Sequence, residues 1–314
     1  MVSASPIIPR ELRLVLTNKC NFACYFCFNE GYPKEFRSVD LAVVDYLMIV
    51  RQMVSEYGLK KVRISGGEPL VSPILPSLLR ELRTTWPELD VGFTTNASLP
   101  HILKEILLDT DLGDVKINAS VHSVDKARLQ AICRTENVGG VLYSLQSLAE
   151  SAAGRVKFNC VYTGGPRGDE DAMTVLALAE EFNVTVKLLC LNVNPYNQED
   201  VLSGLAIKDV PAKPGTDAIY ALARSLGYQA IPGRQNEMRK GDHCIEVVDC
   251  SISDPIAYYN NFRTIRIYFN SRVAVTGEFD GFCRSFSRLS PITAIRGLVA
   301  DISAQFTRTA EQEP

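Results

Sequence analysis

Three cysteines follow the first apolar run of the chain with the spacing C-x3-C-x2-C. Cys20, Cys24 and Cys27 come directly after residues 12–16, which are apolar apart from Arg13. A loop that leaves a strand can bring three thiolates to one metal centre, and three protein ligands leave a coordination position open for a reacting molecule. The spacing therefore predicts a working metal centre.

The same spacing allows two other structures. The cysteines could form a structural zinc site completed by a distant Cys or His, or a disulfide in a secreted domain. Residues 1–10 lack a basic segment followed by an apolar core, so neither a secretory signal nor disulfides are expected. The neighbours Phe22, Tyr25, Phe26 and Phe28 favour a dry pocket of low dielectric, which suits an iron–sulfur cluster.

Composition indicates a globular chain in a reducing compartment. With 314 residues, of which 46% are hydrophobic, the chain can bury a full core. No apolar stretch is long enough to span a bilayer, and nine cysteines without a secretory signal favour the cytoplasm. A formal net charge of -3 gives no general attraction to nucleic acid or to an anionic membrane. We therefore expect no nucleic-acid or membrane partner, and an anionic ligand must be met by local cations.

Short apolar strands alternate with amphipathic helices through the first two thirds of the chain. Strands are predicted at residues 12–17, 61–65, 90–95, 114–121, 155–162 and 184–191, and helices at 41–57, 74–84, 99–108, 138–153 and 171–181. Such alternation is typical of parallel βα units. Six units are too few for a closed eight-stranded barrel. We therefore predict an α/β fold, a partial (β/α)6 TIM-like barrel, over residues 1–192.

The rest of the chain has a different pattern. Residues 193–242 are predicted to be a connecting loop and a helix, because residues 192–214 are rich in Asn, Pro and Gly. Residues 243–314 are predicted to form a small C-terminal region that covers the substrate. This region contains Cys244, Cys250 and Cys283, a hairpin over residues 264–275 and a last helix at residues 292–306.

A second motif, Gly66-Gly67-Glu68-Pro69, follows the second strand. Paired glycines let backbone groups approach a ligand without interference from a Cβ atom. Taken alone, the motif is equally explained as an ordinary turn between a strand and a helix. It is not a phosphate loop, because the Lys-Ser/Thr ending is absent. The ends of neighbouring strands form the site edge of α/β folds, so we expect the motif to belong to the same site as the cysteines.

The cysteine spacing after strand one and Gly-Gly-Glu-Pro after strand two together resemble the radical S-adenosylmethionine (radical SAM) superfamily. The resemblance implies a [4Fe-4S] cluster on Cys20, Cys24 and Cys27, with the fourth iron chelated by S-adenosylmethionine (SAM). It also implies that an electron from the cluster cleaves SAM to a 5′-deoxyadenosyl radical, which abstracts hydrogen from the substrate.

Within the superfamily, the chain most resembles the MoaA-like, GTP-cyclising enzymes of molybdenum-cofactor biosynthesis. The likeness extends over most of residues 12–192 and includes the segments 29–31 (NEG), 63–70 (RISGGEPL), 94–96 (TTN) and 120–123 (SVHS). The resemblance implies a SAM site made of Phe26, Gly67, Ser120, Thr95 near the adenosyl or substrate group, and Asn192 near the adenine. Thr95 and Ser120 could instead only cap their strand ends.

Cations on the predicted strands point to an anionic substrate. Arg13, Arg63 and Lys157 lie where the resemblance implies phosphate contacts to a nucleotide. An unpaired buried charge costs several kcal/mol, so each cation must meet an anion or pair with a local carboxylate such as Glu11 or Glu68. Arg and Lys are common phosphate ligands, which favours a phosphorylated, nucleotide-like substrate.

The C-terminal region departs from the family. Relatives carry a second cluster on a close C-x2-C pair and a third cysteine after a hairpin, whereas Cys244, Cys250 and Cys283 have the spacing C-x5-C-x32-C. The order and the hairpin are kept, so we predict a second [4Fe-4S] cluster, with separate thiols as the alternative. Arg266 matches one member of the family's C-terminal arginine series, but the chain ends in Glu-Gln-Glu-Pro instead of Gly-Gly. These departures predict a relative that acts on another molecule.

The remaining cysteines and histidines suggest no further site. Cys133, Cys160 and Cys190 are predicted to be small buried residues. The three histidines show no H-x3-H pairing, so a zinc hydrolase site is not expected. His122 could line the pocket or be a structural histidine.

The leading hypothesis is a radical SAM enzyme that abstracts hydrogen from a phosphorylated, nucleotide-like substrate and cyclises or rearranges it in specialised metabolism. Such an enzyme needs a reductant such as flavodoxin or ferredoxin. One alternative is an epimerase or dehydrogenase acting on an aminosugar or a peptide. A viperin-type enzyme that dehydrates CTP would leave the C-terminal cysteines without a role. A non-enzymatic iron–sulfur or zinc protein, for electron transfer or interaction, is the alternative from another class.

Overall fold

The computed structural model describes residues 8–28, 30, 41–151, 154–193, 197–206, 215–250, 259, 263–275, 282–287 and 290–312. Two compact units divide the chain. The first comprises residues 1–19, 29–92 and 252–314, and the second comprises residues 20–28 and 93–251. The three cysteines near the start of the chain therefore belong to the second unit.

Strands and helices alternate along most of the chain. The strands are β1 (Glu11–Val15), β2 (Lys61–Ser65), β3 (Asp90–Thr95), β4 (Lys116–Ser120), β5 (Val156–Tyr162), β6 (Thr185–Cys190), β7 (Gln229–Ala230), β8 (Glu237–Lys240), β9 (His243–Val248), β10 (Thr264–Tyr268), β11 (Arg272–Ala274) and β12 (Cys283–Ser285). The helices are α1 (Val43–Tyr57), α2 (Leu75–Thr85), α3 (Pro100–Leu108), α4 (Lys126–Cys133), α5 (Gly139–Ser151), α6 (Gly165–Phe182), α7 (Gln198–Leu205), α8 (Thr216–Ser225) and α9 (Pro291–Gln312).

In the first unit the strand order is β12-β11-β10-β1-β2. β1 is parallel to both β2 and β10, and the hairpin of β10 and β11 continues antiparallel into β12. Alternate side chains of a strand point to opposite faces of its sheet. Leu12 and Leu14 are fully buried on one face of β1, whereas Glu11 and Arg13 lie on the other. This second face is polar and carries candidate substrate residues.

In the second unit the strand order is β3-β4-β5-β6-β9-β8-β7, with β3 divided between the units at Gly92. β4, β5, β6 and β9 are parallel, and β8 and β7 follow antiparallel. Each of the edge strands β12 and β7 has one neighbour among the described strands, so the sheet is open.

The structure confirms the predicted α/β fold with a mainly parallel, open sheet. The six predicted strands and the hairpin over residues 264–275 are present. β9 and β10 add parallel neighbours to β6 and β1, so parts of the C-terminal region extend the sheets. Two helices were not predicted: α4, whose apolar periodicity is weak, and α7, which lies inside the predicted loop at 192–214. The domain boundaries at residues 192 and 242 stay predictions.

Candidate functional site

The segment Cys20–Phe28, here called the cysteine loop, contains three cysteines that are not joined by disulfides. Cys20 is exposed, and Cys24 and Cys27 are half-buried. The Cys27 amide donates to the Cys24 carbonyl at 3.0 Å, which closes a tight turn. The Phe22 amide donates to the Cys20 Sγ atom at 3.4 Å. The loop thus presents accessible thiols, and one of them already accepts a backbone hydrogen bond.

The C-terminal turn of α4 anchors the cysteine loop. The last carbonyls of a helix have no partner inside the helix. Two of them accept from the loop: Ala23 donates to the Cys133 carbonyl at 3.0 Å, and Tyr25 donates to the Ile132 carbonyl at 3.1 Å. The loop backbone is therefore tied to a helix end more than a hundred residues further along the chain.

The segment that leads into α7 provides a second anchor. Asn197 is almost completely buried, and its Nδ2 atom donates to the Phe26 carbonyl at 3.1 Å and to the Asn192 carbonyl at 2.8 Å. Gly204 in α7 packs against the Tyr25 ring so closely that a Cβ atom there would lie 2.2 Å from the ring. Neither residue was predicted to belong to the site. Neither had a signal in the sequence, because both lie in the segment that was predicted to be a loop.

His122, two residues beyond the end of β4, packs against the cysteine loop. The rings of Phe26 and His122 lie edge to face with centroids 4.7 Å apart, and the Val161 amide donates to His122 Nδ1 at 3.3 Å. Burial lowers the pKa of His122 to about 4. The imidazole is therefore neutral at physiological pH, and the structure gives His122 a packing role.

The Gly-Gly turn belongs to the first unit and joins the ends of β1 and β2. Gly67 donates to the Thr17 carbonyl at 2.7 Å, and Glu68 donates to the Lys19 carbonyl at 2.9 Å. A Cβ atom on Gly67 would lie 2.2 Å from the Lys19 carbonyl oxygen, and one on Gly66 would lie 2.6 Å from the Thr17 carbonyl oxygen. Only glycine fits there. A small cavity within this unit is lined by Val15, Thr17, Asn18, Glu30, Gly66, Gly67, Tyr268 and Phe269.

The structure assigns the predicted SAM residues to strand ends of two units. Thr95 and Ser120 end β3 and β4, and Asn192 follows β6, all in the second unit with Phe26, whereas Gly67 is in the first. Asn197 bridges Phe26 and Asn192 through their carbonyls. Thr95 Oγ1 accepts from the Ala97 amide at 3.0 Å, which is the strand-end capping that was the alternative to ligand contact. Roles in SAM binding stay predictions.

Three of the predicted substrate cations stand side by side in the first unit. In the parallel register, Arg13 of β1 is opposite Arg63 of β2 on one side and Arg266 of β10 on the other. Since residues in register project to the same face, the three side chains share the polar face.

Each of these arginines pairs with a carboxylate. Arg13 Nη2 lies 3.2 Å from Glu11 Oε1, and Arg63 Nη2 lies 2.6 Å from Asp90 Oδ2. Arg266 is 3% exposed and its Nε lies 3.3 Å from Glu30 Oε2.

Glu11 also pairs with Lys61 at 2.8 Å. Burial tends to raise its pKa, but Arg13, Lys61 and Arg63 lower it to about 2. The carboxylate of Glu11 is therefore ionised at physiological pH. Glu68, the other carboxylate considered as a partner, accepts from the Leu70 amide at 2.9 Å.

Lys157 lies on β5 in the second unit and forms an ion pair with Glu246 of β9. Lys187 Nζ lies 3.4 Å from the same carboxylate. Burial raises the pKa of Glu246, but the two lysines outweigh burial and lower it. Arg13, Arg63 and Lys157 thus each pair with a carboxylate, as the alternative to anion contact had it, but only Arg13 pairs with a local one. Contact of the four cations with substrate stays a prediction.

The C-terminal cysteines lie in different units. Cys244 on β9 and Cys250 just beyond it belong to the second unit, and Cys283 at the start of β12 belongs to the first. Cys133, Cys160 and Cys190 are buried, as predicted. Burial raises the pKa of Cys160 to about 12 and that of Cys190 to about 11, which keeps both thiols protonated.

Across the described ranges, no three His, Cys, Asp or Glu side chains are arranged as a ready metal site. The donor set of the cysteine loop nevertheless fits an iron–sulfur cluster. Three thiols lie on one anchored loop, none is in a disulfide, and a backbone N–H already faces Cys20 Sγ. Thiolate ligands that accept N–H hydrogen bonds are typical of such clusters.

Comparison with known proteins defines the family. The model of the Radical SAM superfamily matches residues 14–179, which is more than half of the chain. The chain therefore belongs to the radical SAM superfamily of enzymes, which use a [4Fe-4S] cluster and SAM. This confirms the resemblance inferred from the two motifs.

Its relatives include GTP 3′,8-cyclases. A probable GTP 3′,8-cyclase of Metallosphaera sedula is 30% identical over 174 residues, which cover 55% of this chain and 53% of that protein. A probable GTP 3′,8-cyclase of Methanocella arvoryzae is 34% identical over 161 residues, covering 51% and 50%. The GTP 3′,8-cyclase of Chlorobaculum tepidum is 28% identical over 191 residues, covering 60% and 55%. The chain thus spans about half the length of these relatives.

Solved structures show the same fold. SuiB of Streptococcus suis bound to SAM has a TM-score of 0.62 at 17% identity, covering 85% of this chain and 60% of that chain. The enzyme anSMEcpe with bound SAM has a TM-score of 0.55 at 12% identity, covering 91% and 77%. These likenesses confirm the partial-barrel fold class. Within the described residues, none of the helices has the length and apolar content needed to cross a membrane.

The contact between Gly204 and Tyr25 predicts a defect in the cysteine loop. Gly204→Ala must displace the Tyr25 ring, so we expect a loss of about 1–3 kcal/mol in the free energy of unfolding. Less iron should be retained per chain after anaerobic reconstitution. Gly139→Ala is the matched control, because its Cβ would meet no atom within 4 Å, and it should keep or slightly raise stability. Equal losses of stability and iron in the two variants would contradict the inference that Gly204 holds the cysteine loop through Tyr25.

The buried His122 predicts a pH dependence of stability. Above pH about 6.5 the imidazole is neutral in both the folded and the unfolded state. Between about 6.5 and the folded pKa of about 4, only the unfolded state takes up the proton, so stability falls as pH falls. The full loss in the free energy of unfolding is about 3 kcal/mol, since each unit of difference between the folded and unfolded pKa is worth about 1.4 kcal/mol.

Urea unfolding from pH 7 to pH 5 checks this expectation. His122→Asn should flatten the slope of stability against pH relative to the native chain, whatever its stability at pH 7. His243, whose pKa burial also lowers, remains in both proteins and cancels in the comparison. Identical slopes would show that His122 is not buried in the neutral form.

Proposed function

We propose that this chain holds a [4Fe-4S] cluster on Cys20, Cys24 and Cys27 and binds SAM as a radical SAM enzyme. The observation that carries the proposal is the anchored cysteine loop, with accessible thiols and a backbone donor to Cys20, in a chain of this superfamily. When bound, the cluster and SAM supply a 5′-deoxyadenosyl radical that removes a hydrogen atom from the substrate.

The residues of the chain position and enclose that chemistry. α4 and Asn197 hold the loop backbone, and the Phe26 ring is packed against His122, so the loop geometry is set before any ligand binds. The proposed SAM contacts are Phe26, Gly67, Thr95, Ser120 and Asn192. Gly67 is fixed beside the segment that leads to Cys20, because its backbone packs against Lys19 more closely than any side chain would allow.

We further propose an anionic, nucleotide-like substrate. On the polar face of the first unit, Arg13, Lys61, Arg63 and Arg266 each pair with Glu11, Asp90 or Glu30. In the second unit Lys157 and Lys187 share Glu246. Both groups bring basic side chains together, and Arg and Lys are common phosphate ligands.

The reaction we propose is bond formation with cyclisation or rearrangement of that substrate in specialised metabolism. Its support is that relatives at about 30% identity are GTP 3′,8-cyclases. The altered cysteine spacing in the C-terminal region favours another substrate than GTP. A cytoplasmic reductant such as flavodoxin or ferredoxin would supply the electron.

A second [4Fe-4S] cluster on Cys244, Cys250 and Cys283 is part of the proposal. All three thiols are partly accessible, unlike the buried Cys133, Cys160 and Cys190. Cysteines that bind a metal are expected to be more accessible than cysteines that only pack in the core.

The first prediction for this function concerns metal and cofactor chemistry. After anaerobic reconstitution, the chain should carry iron and sulfide and, with dithionite and SAM, form 5′-deoxyadenosine. Cys24→Ala should abolish both the loop cluster and 5′-deoxyadenosine formation, whereas Cys160→Ala, a core thiol, should keep both. Replacing Cys244, Cys250 and Cys283 together should remove about half of the iron.

Three outcomes would contradict parts of the proposal. Zinc in the cysteine loop, or an intact cluster without SAM cleavage, would favour the non-enzymatic alternative. Unchanged iron in the C-terminal triple variant would remove the second cluster.

The second prediction concerns the substrate. At least one nucleoside triphosphate, GTP or another, should bind the reconstituted protein in equilibrium dialysis. Arg13→Gln or Arg63→Gln should weaken its binding roughly 10-fold to 100-fold, because each removes a charge-assisted hydrogen bond. The control is Arg296→Gln, which removes an exposed ion pair with Glu56 and should leave binding unchanged.

If Arg296→Gln weakened nucleotide binding as much as Arg13→Gln or Arg63→Gln, the effect would be one of general charge and not of a substrate contact. Binding of an aminosugar or a peptide in place of any nucleotide would favour the epimerase or dehydrogenase alternative.

A further inference from the structure

A closed ring of three side chains stands at the end of β3 beside the cysteine loop. Ser98 Oγ donates to Asn96 Oδ1 at 2.6 Å, Asn96 Nδ2 donates to Asn21 Oδ1 at 2.9 Å, and Asn21 Nδ2 donates to Ser98 Oγ at 2.7 Å. Asn21 is the residue after Cys20, so the ring ties the cysteine loop to the β3 end. All three residues belong to the second unit.

The backbone fixes the orientation of the Asn96 amide group. The Ser98 N–H donates to Asn96 Oδ1 at 3.0 Å. A backbone N–H can only donate, so the oxygen of the amide must face Ser98 and its NH2 group must face away. The turn that brings Ser98 back to Asn96 is held by Ala97, which is buried with φ at +56°. The donor end of Asn96 is therefore pointed at the cysteine loop.

The NH2 group of Asn96 has two hydrogens. Its acceptors include Asn21 Oδ1 and Cys20 Sγ, the latter at 3.9 Å. The same sulfur accepts from the Phe22 amide at 3.4 Å. Cys20 Sγ is thus the acceptor of one side-chain donor and one backbone donor.

We propose that Asn96 is a positioning residue that donates a hydrogen bond to the Cys20 sulfur and raises the reduction potential of the cluster. The inference rests on the proposed function, in which Cys20, Cys24 and Cys27 hold a [4Fe-4S] cluster. Reduction adds negative charge that the thiolate sulfurs share. An N–H dipole directed at a sulfur stabilises that charge, so it favours the reduced form.

The two contacts of residue 96 explain why an amide side chain is needed there. A serine would be too short to reach the sulfur while keeping its contact to Ser98, and an aspartate would present an oxygen to a negative sulfur. Asparagine alone among residues of this size can accept from Ser98 and donate to Cys20 at the same time.

An anaerobic redox titration of the reconstituted full chain, followed by the EPR signal of the reduced cluster, tests the proposal. The signal that changes when SAM is added belongs to the cluster with the open coordination position. Asn96→Ala should move its midpoint to lower potential, and Asn96→Asp should move it further, because a carboxylate oxygen then faces the sulfur. Iron per chain is measured for every variant.

Ser98→Ala is the matched control. It breaks the same ring outside the cysteine loop, whereas the N–H of residue 98 still donates to Asn96 Oδ1 and Asn96 still donates to Asn21, so the midpoint should remain at the native value. Equal shifts for Ser98→Ala and Asn96→Ala, or no shift for Asn96→Ala and Asn96→Asp at native iron content, would overturn the proposal. If Asn96→Ala loses iron, Asn96→Asp decides, because its shape is nearly that of asparagine.

The cluster assignment and the role of Asn96 are tested by different results. A native chain without a SAM-sensitive signal would contradict the cluster assignment itself. A native signal that is insensitive to Asn96 would leave that assignment standing and remove only the role of Asn96.

Discussion

The hydrogen bonds between the ends of β1 and β2 are the constraint on which the first unit depends. Gly67 and Glu68 donate to the carbonyls of Thr17 and Lys19, and the two backbones approach so closely that no Cβ atom fits at Gly67. The pinned segment ends one residue before Cys20. Within the first unit, the Gly-Gly turn and the residues that follow β1 are therefore held in one fixed arrangement.

Within the second unit the cysteine loop depends on groups that are remote in sequence. The loop is held by two elements: the carbonyls of Ile132 and Cys133 at the end of α4, and Asn197 and Gly204 at and within α7. Few of these contacts involve the cysteines themselves. The loop is thus shaped mainly by its backbone and its aromatic side chains.

The periodicity of the sequence predicted most of the fold, because strands and helices in this chain carry regular apolar patterns. It failed at α4 and α7, which are eight residues each and too short for a periodic pattern to stand out. The cysteines, the Gly-Gly turn and the strand cations of the candidate site were also recognisable from the sequence. Their partners were not. Arg63, Lys157 and Arg266 pair with carboxylates 27, 89 and 236 residues away, and no local pattern encodes such distances.

The pair of Arg266 and Glu30 has a consequence for how this chain can diverge. Both groups are largely shielded from water, and the Tyr268 hydroxyl also donates to the Glu30 carbonyl at 2.9 Å. Breaking a buried ion pair by removing one partner costs about 3–5 kcal/mol, whereas replacing both partners together can be nearly neutral. Among homologous chains, the residues at positions 30 and 266 should therefore change together. This covariation would connect strand β10 of the hairpin with the residues just beyond Cys27.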